Sequence, residues 1–154
     1  MKGNEKLIEK LNFLLADELT AINQYMVHSE MCANWGYDKL HHELEKRAVD
    51  EMKHAEMLIA RILFLEGLPV VSHLNPIHIG AEIPKMMDND HKAESGAVKG
   101  YNDAIKLAVT VGDNATREML EGILKDEDRH IDKIEENIDQ ITQMGIQIYL
   151  VSIK

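Results

Sequence analysis

Glu-x-x-His occurs twice in this chain, at Glu51-Met52-Lys53-His54 and at Glu127-Asp128-Arg129-His130. Each sits inside a long segment whose apolar residues recur at helical spacing. In a helix, residues three apart share one face about one turn from each other. Both pairs fall on the apolar stripes of their segments, the faces a helical protein buries. A lone Glu-x-x-His is a weak signal, because surface helices carry many Glu and His. Two of them on buried faces bring four ionisable groups into the interior, where uncompensated charge is costly. The fold must let these groups meet one another or a cation.

Four such segments are legible. The first is expected from about Asn4 to Trp35, ended by Gly36, with stripe Leu7, Leu11, Leu14, Leu15, Ile22 and Tyr25; Glu18 falls on it. The second is expected from Asp38 to Glu66, before Gly67-Leu68-Pro69, a common helix stop. Its stripe is Leu40, Leu44, Ala48, Ala55, Leu58, Ile62 and Leu65, with Glu51 and His54 on it and Met52 beside it. The third is expected from Glu82 to Val111, with Ile83, Met87, Ala97, Tyr101, Ile105 and Ala108 joined on the stripe by Asp90 and Glu94. Gly112-Asp113 reads as a tight joint, with Asp113 capping a fourth helix. That helix carries Leu120, Ile123, Ile131, Ile134, Ile138 and Ile141, with Glu127 and His130 on the same face, and closes at Met144-Gly145. The apolar tail after Gly145 predicts a small fifth helix that packs on a partner subunit or lines an assembly contact.

Residues 67–81 carry two Pro and two Gly and predict a long connection. A helix of about 28 residues is roughly 42 Å long at ~1.5 Å per residue. Fifteen extended residues reach ~50 Å. The connection therefore spans the bundle and lets the third helix start at the far end. The expected architecture is all-α: an antiparallel four-helix bundle with one long crossover and a short C-terminal helix.

Composition agrees. The 154 residues suit a single domain over 1–154 with a real core. Three Pro, two Phe and abundant helix formers favour helices over strands. Seventeen basic against 27 acidic residues give a net charge of −10, which argues against nucleic acid or an anionic membrane as partner and favours an attraction for cations. The single Cys32 forms no internal disulfide and has no recognisable base beside it. An apolar leader and a long apolar run are both missing, so a cytoplasmic location is expected.

Each of the four helices thus places a carboxylate in its apolar stripe, namely Glu18, Glu51, Glu94 and Glu127, and two add His54 and His130. Four carboxylates match the charge of two divalent cations, a physical reason to bury them together. Carboxylate and imidazole ligands with open positions suit iron or manganese. A Glu from each of two helices plus Glu-x-x-His from the other two is the known ligand pattern of ferritin-like di-iron and di-manganese bundles. His28, His41, His42, His73, His78 and His91 share no such spacing and are expected on the surface or in loops.

The chain resembles the bacterioferritins along essentially its whole length. The likeness rests on the Met-Lys-Gly start, Leu-Ala-Asp-Glu-Leu around Glu18, Ala-Ile-Asn-Gln-Tyr at 21–25 and Asn-Trp-Gly at 34–36. It continues through Asp-Glu-Met-Lys-His-Ala at 50–55, Arg-Ile-Leu-Phe-Leu-Glu-Gly-Leu-Pro at 61–69, Asp-Glu at 126–127, His-Ile-Asp at 130–132, and Met-Gly with a final Tyr-Leu at 144–150. The resemblance implies a di-iron ferroxidase centre in which Glu51 and Glu127 bridge, Glu18 and His54 hold one iron, and Glu94 and His130 hold the other. It implies that Met52 is an axial ligand of haem b shared between two chains about a two-fold axis. It implies a hollow shell of 24 chains that takes up Fe(II), oxidises it with dioxygen or peroxide, stores ferric mineral, and receives electrons from a small ferredoxin on release. Asn34, Glu66, Asp132 and Asp139 match polar positions of iron-uptake channels in relatives. Lys46 departs from the pattern: some relatives carry His there, which with Asp50 holds an inner-surface iron, and a charged lysine is a poor ligand.

The six residues also suit another di-iron or di-manganese helical enzyme, which would be a small oligomer without a mineral core. The Cys-x-x-Cys pairs of rubrerythrin-like proteins are absent. A haem-only or purely structural oligomer would bind no non-haem iron, and a haem-free ferritin would leave Met52 without a role.

Overall fold

The computed structural model describes residues 1–154. Its helices are α1 (Glu5–Trp35), α2 (Asp38–Phe64), α3 (Ile83–Thr110), α4 (Asn114–Met144) and α5 (Ile146–Ser152). α1 pairs with α2 and α3 with α4, and the two hairpins close on each other through α1 against α3 and α2 against α4. The expected bundle, crossover and fifth helix are all present, with boundaries shifted by one or two residues. No helix is long and apolar enough to cross a membrane.

Local chemistry accounts for the ends. The Asn4 side chain accepts from the Leu7 amide and starts α1. Gly36, at φ 81°, takes the left-handed position that ends it, with the Gly36 and Tyr37 amides donating back to Ala33 and Cys32. Asp113 caps α4 by accepting from the Thr116 amide, and Arg61 of α2 docks there, 2.9 Å from Asp113 and 2.7 Å from the Thr116 hydroxyl. The stop of α2 differs from expectation. The helix ends at Phe64, and Glu66, at φ 62°, takes the left-handed position. Gly67 serves close packing instead, since a Cβ there would lie 2.7 Å from the Ile8 side chain and 3.0 Å from that of Ile62.

The core has two apolar clusters with a polar layer between them. One gathers Leu7, Leu11, Leu14, Leu58, Tyr101 and Leu120 with their neighbours. The other gathers Cys32, Leu40, Leu44, Met87, Ile134 and Tyr149. Burial, then the charge of Asp90, pushes the Cys32 thiol up to about 12, so it stays protonated and packs as an apolar group. α5 belongs partly to its own bundle. Tyr149 is buried and donates to Asn137 at 2.7 Å, Ile153 joins the second cluster, and Ile148 and Val151 face outward.

The crossover lies along α1 on a series of polar rungs. Asn12 bonds both Leu68 and Val70, Thr20 accepts from the Asn75 amide, Gln24 from the His78 amide, and His28 Nε2 from the Gly80 amide at 2.9 Å. His28 is thus no surface residue. It is fully buried, with Nδ1 2.9 Å from Asp90, because an extended segment without its own ladder needs partners for its amides. His41 is also mostly covered, whereas His42, His73 and His78 are exposed as expected.

A candidate dinuclear metal centre in the bundle

Glu18 on α1, Glu51 and His54 on α2, Glu94 on α3, and Glu127 and His130 on α4 meet in the polar layer, all buried. All six residues singled out from the sequence are brought together. Their atoms form two overlapping sets whose ligand atoms lie within 4.8 Å of one another: Glu18, Glu51, His54 and Glu127; and Glu51, Glu94, Glu127 and His130. Glu51 and Glu127 are common to both. His54 Nδ1 is 3.0 Å from Glu127, 3.7 Å from Glu18 and 3.8 Å from Glu51. His130 Nδ1 is 2.8 Å from Glu51, 3.4 Å from Glu94 and 3.6 Å from Glu127.

Most of these close approaches are not aligned as hydrogen bonds. Both Nδ1 atoms, both Glu127 oxygens, and one oxygen each of Glu18, Glu51 and Glu94 are buried without a hydrogen-bond partner. Buried polar atoms are nearly always satisfied, so seven orphans converging on one volume fit ions held between them. The second nitrogens explain the aim. His54 Nε2 lies 2.9 Å from Asp126, and His130 Nε2 lies 3.1 Å from Asp50. A ring whose Nε2–H donates to a carboxylate presents the Nδ1 lone pair on its other side, the usual setting of a metal-bound histidine. The flanking aspartates, one residue before each Glu common to the two sets, are positioned to orient the rings, a placement that the sequence reading passed over. The signal was there, because Asp-Glu-x-x-His itself occurs twice.

Two tyrosines also escaped notice as site residues, having been assigned to the core stripe. Tyr25 donates to Glu94 at 2.6 Å, and Tyr101 donates to Glu18. Arg47 is a third omission. It is 3% exposed, sits over the Tyr25 ring, and lies 3.6 Å from the buried Asp90, which Gln24 and His28 also bond.

The electrostatics show what so many acids cost each other. Burial, then the charges of Glu18 and Glu94, pushes the Glu51 carboxyl well up. Burial and Glu94 carry Glu127 up to about 9. Burial would lower His54, but the carboxylates of Glu127 and Glu18 beside its Nδ1 outweigh it and bring the ring up to about 11. Burial would raise Glu94 too, and the His130 contact holds it below the usual range. Without metal, protons take the place of cations here.

A cleft of about 840 Å³ between α1, α3 and the crossover leads from the surface to Glu18, Glu51, Glu94 and Glu127. Phe13, Asp17, Thr20, Pro76 and His78 are among its walls. Burial and the neighbouring Glu18 push Asp17 up to about 6.

The other predicted positions lie elsewhere. Met52 is 45% exposed and shares an outer face of α2 with Val49, so its thioether is free of the core. Lys46 pairs with Asp50 at 3.2 Å, in keeping with its departure from a ligand pattern. Asn34, Glu66, Asp132 and Asp139 are exposed. Asn34 and Glu66 sit at opposite ends of the bundle.

The sequence profile of the Ferritin-like domain matches residues 8–144. The bacterioferritin of Rhodobacter capsulatus is 39% identical over 147 residues, covering 96% of this chain and 91% of its own. That of Brucella melitensis is 35% identical over 149 residues, covering 97% and 92%. The bacterial ferritin of a Synechocystis species is 36% identical over 153 residues, covering 99% and 98%. With a profile match over most of its length and relatives of this identity along nearly all of it, the chain belongs to the ferritin family, among the bacterioferritins.

Proposed function

We propose that this chain is the subunit of an iron-storage shell and that the centre of its bundle is a ferroxidase. The observation that carries the reading is the pair of overlapping four-residue sets sharing Glu51 and Glu127. Iron is the substrate here. Glu18 and His54 hold one Fe(II), Glu94 and His130 the other, and Glu51 and Glu127 bridge them. Four carboxylates balance the charge of the two ions, and Asp50 and Asp126 keep the imidazole lone pairs aimed inward. Each Fe(II) gives up one electron. Dioxygen that takes the pair with two protons becomes hydrogen peroxide, and peroxide that takes a pair with two protons becomes water. Delivering electrons in pairs limits radical chemistry. Fe(III) then leaves for the interior of a hollow shell of 24 chains, where it is stored as mineral.

The exposed thioether of Met52 suits an axial haem ligand shared with a second chain. Bound haem b would supply one-electron transfer during release of the mineral, with a small ferredoxin as donor. The family membership of the chain and its acidic balance support the iron reading.

Stepwise addition of Fe(II) to the metal-free protein under air tests the proposal. A fast phase saturating at about two irons per chain, lost in Glu51→Ala, is the expected result. Oxidation no faster than in the variant would overturn it.

A further inference from the structure

We infer that His41, His42 and Glu45, in the first turns of α2, form a separate surface site for one first-row divalent transition ion. Ligand atoms of these three residues lie within 4.8 Å of one another. The cluster shares no residue with the bundle centre, and Glu45 is six positions before Glu51, ~9 Å along the helix. The inference stands whether or not the bundle centre is a ferroxidase.

The orientation of His41 carries the argument. Its Nδ1 lies 3.0 Å from the Ser29 carbonyl oxygen of α1. A carbonyl only accepts, so Nδ1–H donates to it. The Ser29 hydroxyl, 2.8 Å from Nδ1, donates in turn to the His41 carbonyl. In the neutral ring this leaves the lone pair on Nε2, 3.7 Å from a Glu45 carboxylate oxygen. A lone pair facing a carboxylate is an unfavourable pair of acceptors until a cation lies between them. Tying the far ring nitrogen to a backbone carbonyl is also how metal-binding histidines are held in one tautomer.

The other two groups complete a set. The His42 ring centroid is 4.9 Å from that of His41. His42 and Glu45 are exposed and need only rotamer changes to close on an ion. With bonds of ~2.0–2.2 Å to nitrogen and oxygen, tetrahedral ligands stand ~3.4 Å apart, close to the spacing of His41 Nε2 and Glu45. Two imidazoles and one carboxylate with water at the open position suit Zn(II) and its neighbours rather than Ca(II) or Mg(II). α2 positions the site because His41 is braced against α1 while its neighbours stay adjustable.

The test is a Zn(II) titration of the intact metal-free protein against a chromophoric chelator, repeated for His42→Ala and Glu45→Gln. Melting temperatures check that both variants keep the fold. Each variant should bind about one Zn(II) per chain fewer than the parent. Crystals soaked in Zn(II) should show an anomalous peak ~2.1 Å from His41 Nε2. Equal stoichiometry in all three proteins, or no peak beside His41, would show that the ring only staples α2 to α1, and the inference would be wrong.

Discussion

Asp50 on α2 accepts from Nε2 of His130 on α4, 3.1 Å away, while one residue along, Glu51 meets the other nitrogen of the same ring at 2.8 Å. Asp126 and His54 repeat the first contact in the opposite sense between the same two helices. Each helix therefore holds the other's imidazole in place, and neither ring depends on its own helix for its tautomer. Asp126→Asn keeps the shape but loses the charge that favours Nε2–H. Losing such a contact typically costs about 10–100-fold in metal affinity. Binding of Co(II) or Zn(II) to the variant should weaken by that order while the melting temperature of the metal-free protein changes little. Unchanged affinity would refute the orienting role.

The metal-free protein should lose stability as pH rises. Glu127 is raised to about 9 from an unfolded value near 4.5, and His54 to about 11 from near 6.5. In both cases the folded chain holds a proton that the unfolded chain gives up, so stability is full below the unfolded value and falls as pH climbs through the folded one. Asp17, raised to about 6, acts in the same direction lower down. Melting temperatures of the metal-free protein should therefore decline from pH 5 to pH 9. Bound metal replaces these protons, so the loaded protein should gain most from its metal at the upper end. A metal-free melting temperature that rises over this range would contradict the assignment.

Arg47→Ala should destabilise the bundle far from any surface effect. It leaves Asp90 buried without its cation. Breaking a buried pair from one side costs about 3–5 kcal/mol, and roughly 3 is expected here because Gln24 and His28 still bond the carboxylate. Urea unfolding at fixed protein concentration measures it, and a loss below about 1 kcal/mol would mean that water or another group takes over.

Gly67→Ala probes the joint where the crossover leaves α2. The added methyl would approach Ile8 to 2.7 Å. Overpacking of this kind costs about 1–3 kcal/mol. A second change, Ile8→Ala, removes the Cγ2 methyl that the new Cβ would meet and should recover part of the loss, giving a double-mutant coupling that a purely backbone effect would not show.

Met52→Leu separates the two proposed redox roles. The exposed thioether goes while the six bundle residues are untouched. Purified protein should lack the haem absorption of the parent yet keep the fast iron-oxidation phase. Haem retained in the variant would place the axial ligand elsewhere.

How legible all this was in the sequence depends on where each partner lies. Glu18, Glu51, His54, Glu94, Glu127 and His130 were readable because a 3.6-residue period reports which face each one shares with Leu and Ile. Asp50 and Asp126 stand in the sequence as a repeated Asp-Glu-x-x-His, but their role was not legible, since they lie beside the stripe and only the crossing of α2 and α4 turns them toward a ring. His28 looked like a surface residue, and Arg47 drew no expectation at all, because what permits their burial is Asp90, 62 positions from His28 and on another helix. The helix stop at residues 64–67 was found for a partly mistaken reason. Glu66 accepts the strained backbone, and Gly67 is there for Ile8.

The rungs from α1 to the crossover have a consequence for traffic. Pro76–Ile79 forms one jamb of the opening toward the carboxylates, and it is clamped on both sides, by Thr20 at Asn75 and by His28 at Gly80. The doorway is thus framed by the same bonds that hold the chain together, and its width is settled when the protein folds rather than when a visitor arrives.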